Sequence, residues 1–530
     1  MKKLLCKLTT QDWINTVILL AIFIISFSYI FDKKIDLNGD NIEYYIYAKS
    51  LLSGRYTNPM NINHPPISSF PPGYPLLLSI MMLFSKSIVF LKVFTGCLYF
   101  IGLWITFMFM SRFYPQRRVL LLVACGVCLF NPDVLDFATM LMSEMSYFLV
   151  IALIGYFIYK IEFKNNPLKD KNFWFILLLS GYAYYIRTAG LAVVAAVFFF
   201  YLISKKWKYL GGLSVGYILL LLPWTIRAKV NNFGTSKYIS TIKSVNAWDK
   251  NAGEINTQQL FQRFWHNFEE IITKKIPDAL FAKNVNYSHG ANITEWLIGV
   301  SLLAIIVYGL YKIKKINWYF IGLLLATGAT LLPWNGGGGT RYIIAMIPIL
   351  YIGLFFGVFE LGKLIVKKEI ILPPLVVLLA ILTFIPVKGE LEVLHKQAKA
   401  PYHPAYKNYF KIAKAVKEKT PKNTIVCCRK PAMFHLFSER YTGKYTFSPD
   451  DKVLINNMYL RNFSYVVLEQ LGYGSTPKYL YPAIKKNPKV FKIVMHLKNP
   501  DTYLLQFDRK EAEKVLRLQE KVPPPKKTRK

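Results

Sequence analysis

Two acids stand in the first polar stretch of the chain, which reads Leu37-Asn38-Gly39-Asp40-Asn41-Ile42-Glu43-Tyr44. In a helix beginning at Asp40, Asp40 and Glu43 share one face at i and i+3. One carboxylate there can take a proton from an acceptor hydroxyl while its neighbour holds a divalent cation. The same spacing equally suits an N-capping Asp40 with an acid in the first turn. Glu144 follows Ser143 at the edge of an apolar block, where an acid is solvated, held by a cation or Arg, or simply favoured by the helix dipole. Arg187 lies between two apolar blocks and needs an anion, either a lipid phosphate or Glu144. Arg341 follows Gly336 to Gly339, so backbone N–H groups and a guanidinium can grip one phosphate together; an interfacial Arg on a turn is the alternative. Arg227 ends a block after Pro223-Trp224 and suits a second phosphate contact or an interfacial anchor equally.

Other reactive residue types carry less. His64, His266 and His289 have no paired ligand spacing, and the chain contains no zinc motif, P-loop, dinucleotide glycine fingerprint or nucleophile elbow. Cys125 and Cys128 have CxxC spacing inside an apolar stretch without His or acidic neighbours, so they read as small hydrophobes. No cofactor is called for, and a divalent cation at Asp40 and Glu144 is compatible with the residues without being required.

These residues are set among apolar blocks that must face lipid. The 530 residues are 53% apolar and 16% aromatic, too little polar surface for several soluble domains. Blocks long enough for helical crossings fall near 13–31, 88–110, 119–130, 145–159, 173–186, 189–203, 207–225, 296–311, 318–334, 342–361 and 370–386, about eleven transmembrane helices. The 173–203 pair, split by Arg187, is short and reads as two spans or a re-entrant hairpin. The first block reads as an uncleaved span, because it lacks a small-residue cleavage pattern. The segment 74–83 after Phe70-Pro71-Pro72-Gly73 is too short to cross and reads as an interfacial helix.

Basic residues cluster at alternate loops: Lys2, Lys3 and Lys7; Arg112, Arg117 and Arg118; Lys160, Lys164, Lys169 and Lys171; Lys205, Lys206 and Lys208; Lys312, Lys314 and Lys315; Lys363, Lys367 and Lys368. The positive-inside rule makes these loops cytoplasmic. The opposite face then holds the loops 32–72, 131–144, 227–295 and 335–341 together with the C-terminal region. Only that face has enough non-helical backbone to build a site. Topology explains much of the +36 net charge, and about half lies beyond Pro386, where an anionic bilayer or lipid is the expected partner rather than nucleic acid.

Beyond His395 the pattern changes. Strand-like blocks at 424–428, 465–468, 490–495 and 503–507 alternate with a helical stretch at 406–419, which predicts a small α/β domain. The expected division is a membrane domain at 1–387, an extracytoplasmic α/β domain at 388–521 and a disordered basic tail at 522–530.

The order of several motifs on one face resembles the GT-C membrane glycosyltransferases. The subgroup is that of protein O-mannosyltransferases and lipid A aminoarabinose transferases. The motifs are Gly39-Asp40, Glu43-Tyr44, Ala48, Gly54 and Pro71-Pro72-Gly73-Tyr74-Pro75, then Ser143-Glu144, Arg187 in a split pair, Leu222-Pro223-Trp224-Thr225-Ile226-Arg227, and Arg341-Tyr342 with Pro348. The resemblance implies a helical polytopic fold, a polyprenyl-phosphate sugar donor, and Asp40 as catalytic base or as a ligand for acceptor or metal. Many such proteins have an acid directly after that Asp; Asn41 stands here, with Glu43 as the second acid. The expected reaction is inverting sugar transfer to a lipid, glycan or protein acceptor on the outer, periplasmic face of a bacterial inner membrane. Arg187, Arg341 and Arg227 would hold the phosphate. A flippase would need polar residues lining a path to both faces, and a scaffold would leave Asp40, Glu144 and Arg187 without a joint purpose.

Overall fold

The computed structural model describes residues 9–37, 39–234, 237–247, 253–282, 286–335, 339–365 and 372–517. The glycines at 336–338 and the basic tail at 522–530, both singled out above, lie outside these residues. The chain forms two compact units, one of residues 1–36 and 68–399, the other of 37–67 and 400–530.

All eleven apolar blocks are helical. They correspond to Thr10–Ile30, Ile88–Phe113, Arg118–Cys128, Glu144–Lys160, Lys171–Ile186, Leu191–Ile203, Trp207–Val230, Ile293–Lys312, Asn317–Leu331, Ile347–Ile365 and Leu372–Lys399. Among the described residues six helices are by themselves long and apolar enough to cross a membrane, or seven if the bent pair at 115–138 is one span. Several blocks are therefore shorter than a full crossing, and a count of eleven rests on combining them. The chain is a multi-pass membrane protein, and lipid-facing side chains such as Ile25, Ile218 and Leu297 are more than half exposed.

Glycines bring two of these helices into close contact. A Cβ at Gly309 would stand 1.9 Å from the Gly353 carbonyl oxygen, and one at Gly357 would stand 2.1 Å from that of Ile305. The Ile293–Lys312 and Ile347–Ile365 helices therefore pack backbone to backbone, as small residues allow in membranes.

The last membrane helix does not end at Pro386, where the sequence predicts the boundary, but runs from Leu372 through Pro386 to Lys399. Its extension contains several Glu, Lys and Leu residues, which favour helix. Val387 and Leu391 pack with Ile30 and Leu135, and the His395 ring stacks 4.0 Å from that of Tyr29. The segment expected to lie at the interface forms a helix, Gly73–Met82.

The second unit is built on a five-stranded sheet in the order β2-β1-β3-β5-β4. β1 is Ile425–Cys427, β2 Tyr441–Gly443, β3 Tyr465–Leu468, β4 Phe491–Leu497 and β5 Thr502–Phe507. β1 pairs in parallel with β2 and β3, while β5 runs antiparallel to β3 and β4. Val466, Leu505, Leu454, Met458 and Phe491 form its core. The loop after the first helix belongs to this unit: the Asn41–Leu52 helix packs on the Pro431–Ser438 helix, and Thr442 N donates to Met60 O at 2.8 Å. Sequence reading assigned that loop to the membrane domain.

Candidate active site

The first cluster lies in the membrane unit. Glu144 opens the Glu144–Lys160 helix, where the dipole favours an acid, yet its side chain is only 1% exposed. Arg187 Nη1 lies 3.1 Å from Glu144 Oε1, and Arg341 Nε lies 3.5 Å from the same oxygen. Ser143, at the N-cap position, makes no side-chain cap hydrogen bond, and its Oγ stands 3.5 Å from Oε2.

Local backbone fixes each partner. Arg187 adopts an extended conformation, φ −159° and ψ 145°, between the Lys171–Ile186 helix and a 3₁₀ turn at Thr188–Gly190. A Cβ at Gly190 would fall 2.1 Å from Ala183 O, so glycine permits the tight return. The Arg187 guanidinium also lies over the Tyr147 ring at 5.6 Å, and Tyr147 Oη donates to Ala189 O at 3.3 Å. Gly73 abuts the same break: its Cβ would meet the Tyr185 carbonyl at 2.5 Å, and Tyr182 Oη donates to Gly73 O at 2.9 Å. The Pro-Pro-Gly motif thus packs against the helix break that presents Arg187.

Arg341 sits in a 3₁₀ segment, Gly339–Met346, before the Ile347–Ile365 helix. The turn bearing Glu144 is tied to that region through Asn131, whose Oδ1 accepts from Val134 N and whose Nδ2 donates to Ala279 O at 2.7 Å and reaches Tyr351 Oη at 3.3 Å. Arg227 ends the Trp207–Val230 helix and lies over the rings of Trp224 and Phe233 at 4.8 and 5.0 Å.

Two guanidiniums thus converge on one oxygen of a buried carboxylate. Among the described residues no group of three or more His, Cys, Asp or Glu side chains is placed to hold a metal ion.

The second cluster lies in the other unit. Asp40 occupies the N-cap position of the Asn41–Leu52 helix but makes no side-chain cap hydrogen bond, and Glu43 stands in the first turn. The capping alternative for Asp40 thus lacks its defining bond. Lys430, at the start of the Pro431–Ser438 helix, feels both acids: burial lowers its pKa, Tyr406 opposes this, Arg429 lowers it further, and the charges of Glu43 and Asp40 raise it. Lys430 Nζ lies 4.8 Å over the Tyr473 ring; Arg429 lies 4.5 Å over the same ring and donates from Nε to Ser475 Oγ at 2.7 Å.

Sequence reading missed Lys430, because nothing local links residue 430 to residue 40. It also missed Lys92, which is fully buried, donates to Lys34 O at 2.6 Å and pairs with Asp36 at 3.3 Å. A lone Lys in the first turn of the 88–110 block was the available signal. Of the histidines, His266 pairs with Glu270 at 3.2 Å on its own helix face.

No family model matches the chain, and no curated protein is similar to it. Solved structures are. ArnT from Cupriavidus metallidurans in the apo state matches with a TM-score of 0.59 at 11% identity, over 94% of this chain and 99% of ArnT. The same protein bound to undecaprenyl phosphate matches with a TM-score of 0.58 at 12% identity, over 94% and 98% of the two chains. The archaeal oligosaccharyltransferase AglB from Archaeoglobus fulgidus, in complex with an inhibitory peptide and a dolichol-phosphate, matches with a TM-score of 0.58 at 12% identity, over 97% of this chain and 75% of AglB. The neighbours are GT-C glycosyltransferases, and the expected helical membrane fold with a small C-terminal sheet is the fold this chain has.

Proposed function

We propose that this protein transfers a sugar from a polyprenyl-phosphate donor to a lipid, glycan or protein acceptor on the periplasmic face of a bacterial inner membrane. The observation that carries the reading is the buried Glu144 carboxylate on which the Arg187 and Arg341 guanidiniums converge. Solved neighbours with undecaprenyl phosphate and dolichol-phosphate support the donor class.

In this reading Asp40 accepts the proton of the acceptor hydroxyl as its oxygen attacks the anomeric carbon. The bond from that carbon to the phosphate oxygen breaks, and configuration inverts. Negative charge grows on the departing polyprenyl phosphate, where Arg187 and Arg341 stabilise it and Arg227 provides a further contact. Glu43 and Lys430 set the charge around Asp40. In this reading no step requires a metal.

The test is transfer from a radiolabelled polyprenyl-phosphate sugar pool into lipid, glycan and protein fractions, with wild type and Asp40→Asn at equal expression. Removing the base is expected to lower transfer about 10²–10⁴-fold and to abolish one labelled product. Equal labelling would remove Asp40 as the base, and no product from either protein would count against the donor.

A further inference from the structure

Within the unit formed by 37–67 and the C-terminal region, a pocket of about 330 Å³ opens beside the last turns of the Asn41–Leu52 helix. Its walls include Lys49, Arg55 and His64 from the loop after the first helix, and His435 and Glu439 from the end of the Pro431–Ser438 helix. We propose that this pocket takes an anionic group of the acceptor, a phosphate or carboxylate carried on a sugar, and holds it away from the reacting hydroxyl. The proposal rests on the transferase reading for the word acceptor, and on the pocket alone for the anion.

The charge on the walls is unbalanced. Among the described residues neither Lys49 nor Arg55 forms a salt bridge, and the Lys49 ammonium lies 5.8 Å over the Tyr45 ring. The acid in the lining, Glu439, is already paired, with Lys417 Nζ 2.7 Å from its Oε1. Two cations and two imidazoles therefore face a space whose acid is neutralised from outside.

The walls are also built. Ser50 Oγ lies 2.9 Å from both Arg55 O and Thr57 O, which folds the loop after the helix back on itself. Ser53 Oγ donates to Ser50 O at 2.7 Å. His64 has φ +43° and sets its ring edge-on to Tyr441 at 5.7 Å, while His435 Nδ1 lies 2.8 Å from Arg440 O. These bonds orient the loop and both imidazoles without using the Lys49 or Arg55 charge.

The helix gives the spacing. Nine residues separate Asp40 from Lys49, a rise of about 14 Å along the axis. An acceptor that places its hydroxyl at Asp40 and its anion near Lys49 is longer than a single sugar ring, so the inference selects an anionic oligosaccharide or a phosphorylated glycolipid over a small neutral sugar.

The test is equilibrium binding of radiolabelled glucose 6-phosphate to the full chain in nanodiscs of phosphatidylcholine. Wild type is expected to bind it, with excess unlabelled glucose failing to compete. Lys49→Gln with Arg55→Gln is expected to weaken binding at least tenfold. Glu439→Gln removes the acid and frees Lys417, so it is expected to tighten binding about threefold, a direction that misfolding does not imitate. Unchanged binding in the double variant, or equal competition by glucose, overturns the proposal. Discs carrying phosphatidic acid separate the sources: displacement of label identifies a lipid phosphate, and retention identifies a phosphate on the glycan. Asp40→Asn is expected to keep this binding while losing transfer. Failure of the pocket with Asp40→Asn still inactive sinks this proposal alone, and binding with active Asp40→Asn sinks the assignment of the base alone.

Discussion

Glu144 is shared by Arg187 and Arg341, so substitution of the acid and of an Arg should have opposite effects. Arg187→Lys keeps a charge but loses the planar fork and the contact with Tyr147, so polyprenyl-phosphate binding is expected to weaken about tenfold. Glu144→Gln removes the acid that competes with the phosphate, so the same binding is expected to strengthen even as the protein loses stability. Displacement of a labelled polyprenyl phosphate from each variant checks both, and a change in the same direction for the two would contradict a phosphate role. His435 supports a separate prediction. Burial lowers its pKa below the usual 6.5, the Arg440 carbonyl bond opposes this, Lys49 and His64 lower it further, and Glu439 raises it. The folded state therefore prefers the neutral ring: the stabilisation is full above about pH 6.5 and is lost as pH falls through the lower folded value. Thermal unfolding of the full chain is expected to shift downward below pH 6.5, and His435→Gln to flatten that dependence.

Helices and turns carry the next set of constraints, because the Arg187 break exists only if backbones can approach. Gly73 and Gly190 provide that approach, with a Cβ at either position meeting carbonyl atoms of the Lys171–Ile186 helix at 2.5 Å or less. Gly73→Ala is expected to push the Gly73–Met82 helix off the break and to cost about 1–3 kcal/mol, with transfer falling more than the loss of folded protein explains. Gly309→Ala should separate the Ile293–Lys312 and Ile347–Ile365 helices by a similar cost, and thermal unfolding in detergent reads it directly. Helix positions were readable because long apolar blocks leave little choice in lipid. Helix ends were not: Pro386 marks a stop in most local contexts, yet Val387, Leu391 and His395 find partners on the first helix and the turn before Glu144, and that packing carries the helix to Lys399.

For the whole molecule, the main consequence is that the loop after the first helix folds with the C-terminal sheet. The expected domain division kept them apart, whereas Met60 joins Thr442 and the Asn41–Leu52 helix lies on Pro431–Ser438. A chain ending after Lys399 is expected to expose 37–67 to proteolysis and to lose transfer, because Asp40 then lacks Lys430 and its helix lacks its packing face. Limited proteolysis of membranes carrying each form tests this, and a protected loop in the shortened chain would refute it.

The sequence by itself determined that the chain spans a membrane many times and which acids and arginines are set against apolar neighbours. Hydrophobic length and alternating basic loops are local, additive signals, so they survive being read one segment at a time. It also determined the candidates Asp40, Glu144, Arg187 and Arg341, because a charge beside lipid is costly enough to demand a purpose. Only the tertiary structure decided the groupings: Arg187 with Arg341 on one carboxylate, Lys430 within the field of Asp40, and Lys49 and His435 in the lining of one pocket. Those contacts join residues tens to hundreds of positions apart, and their geometry comes from glycine-permitted helix approaches and loop bonds that no local spacing encodes.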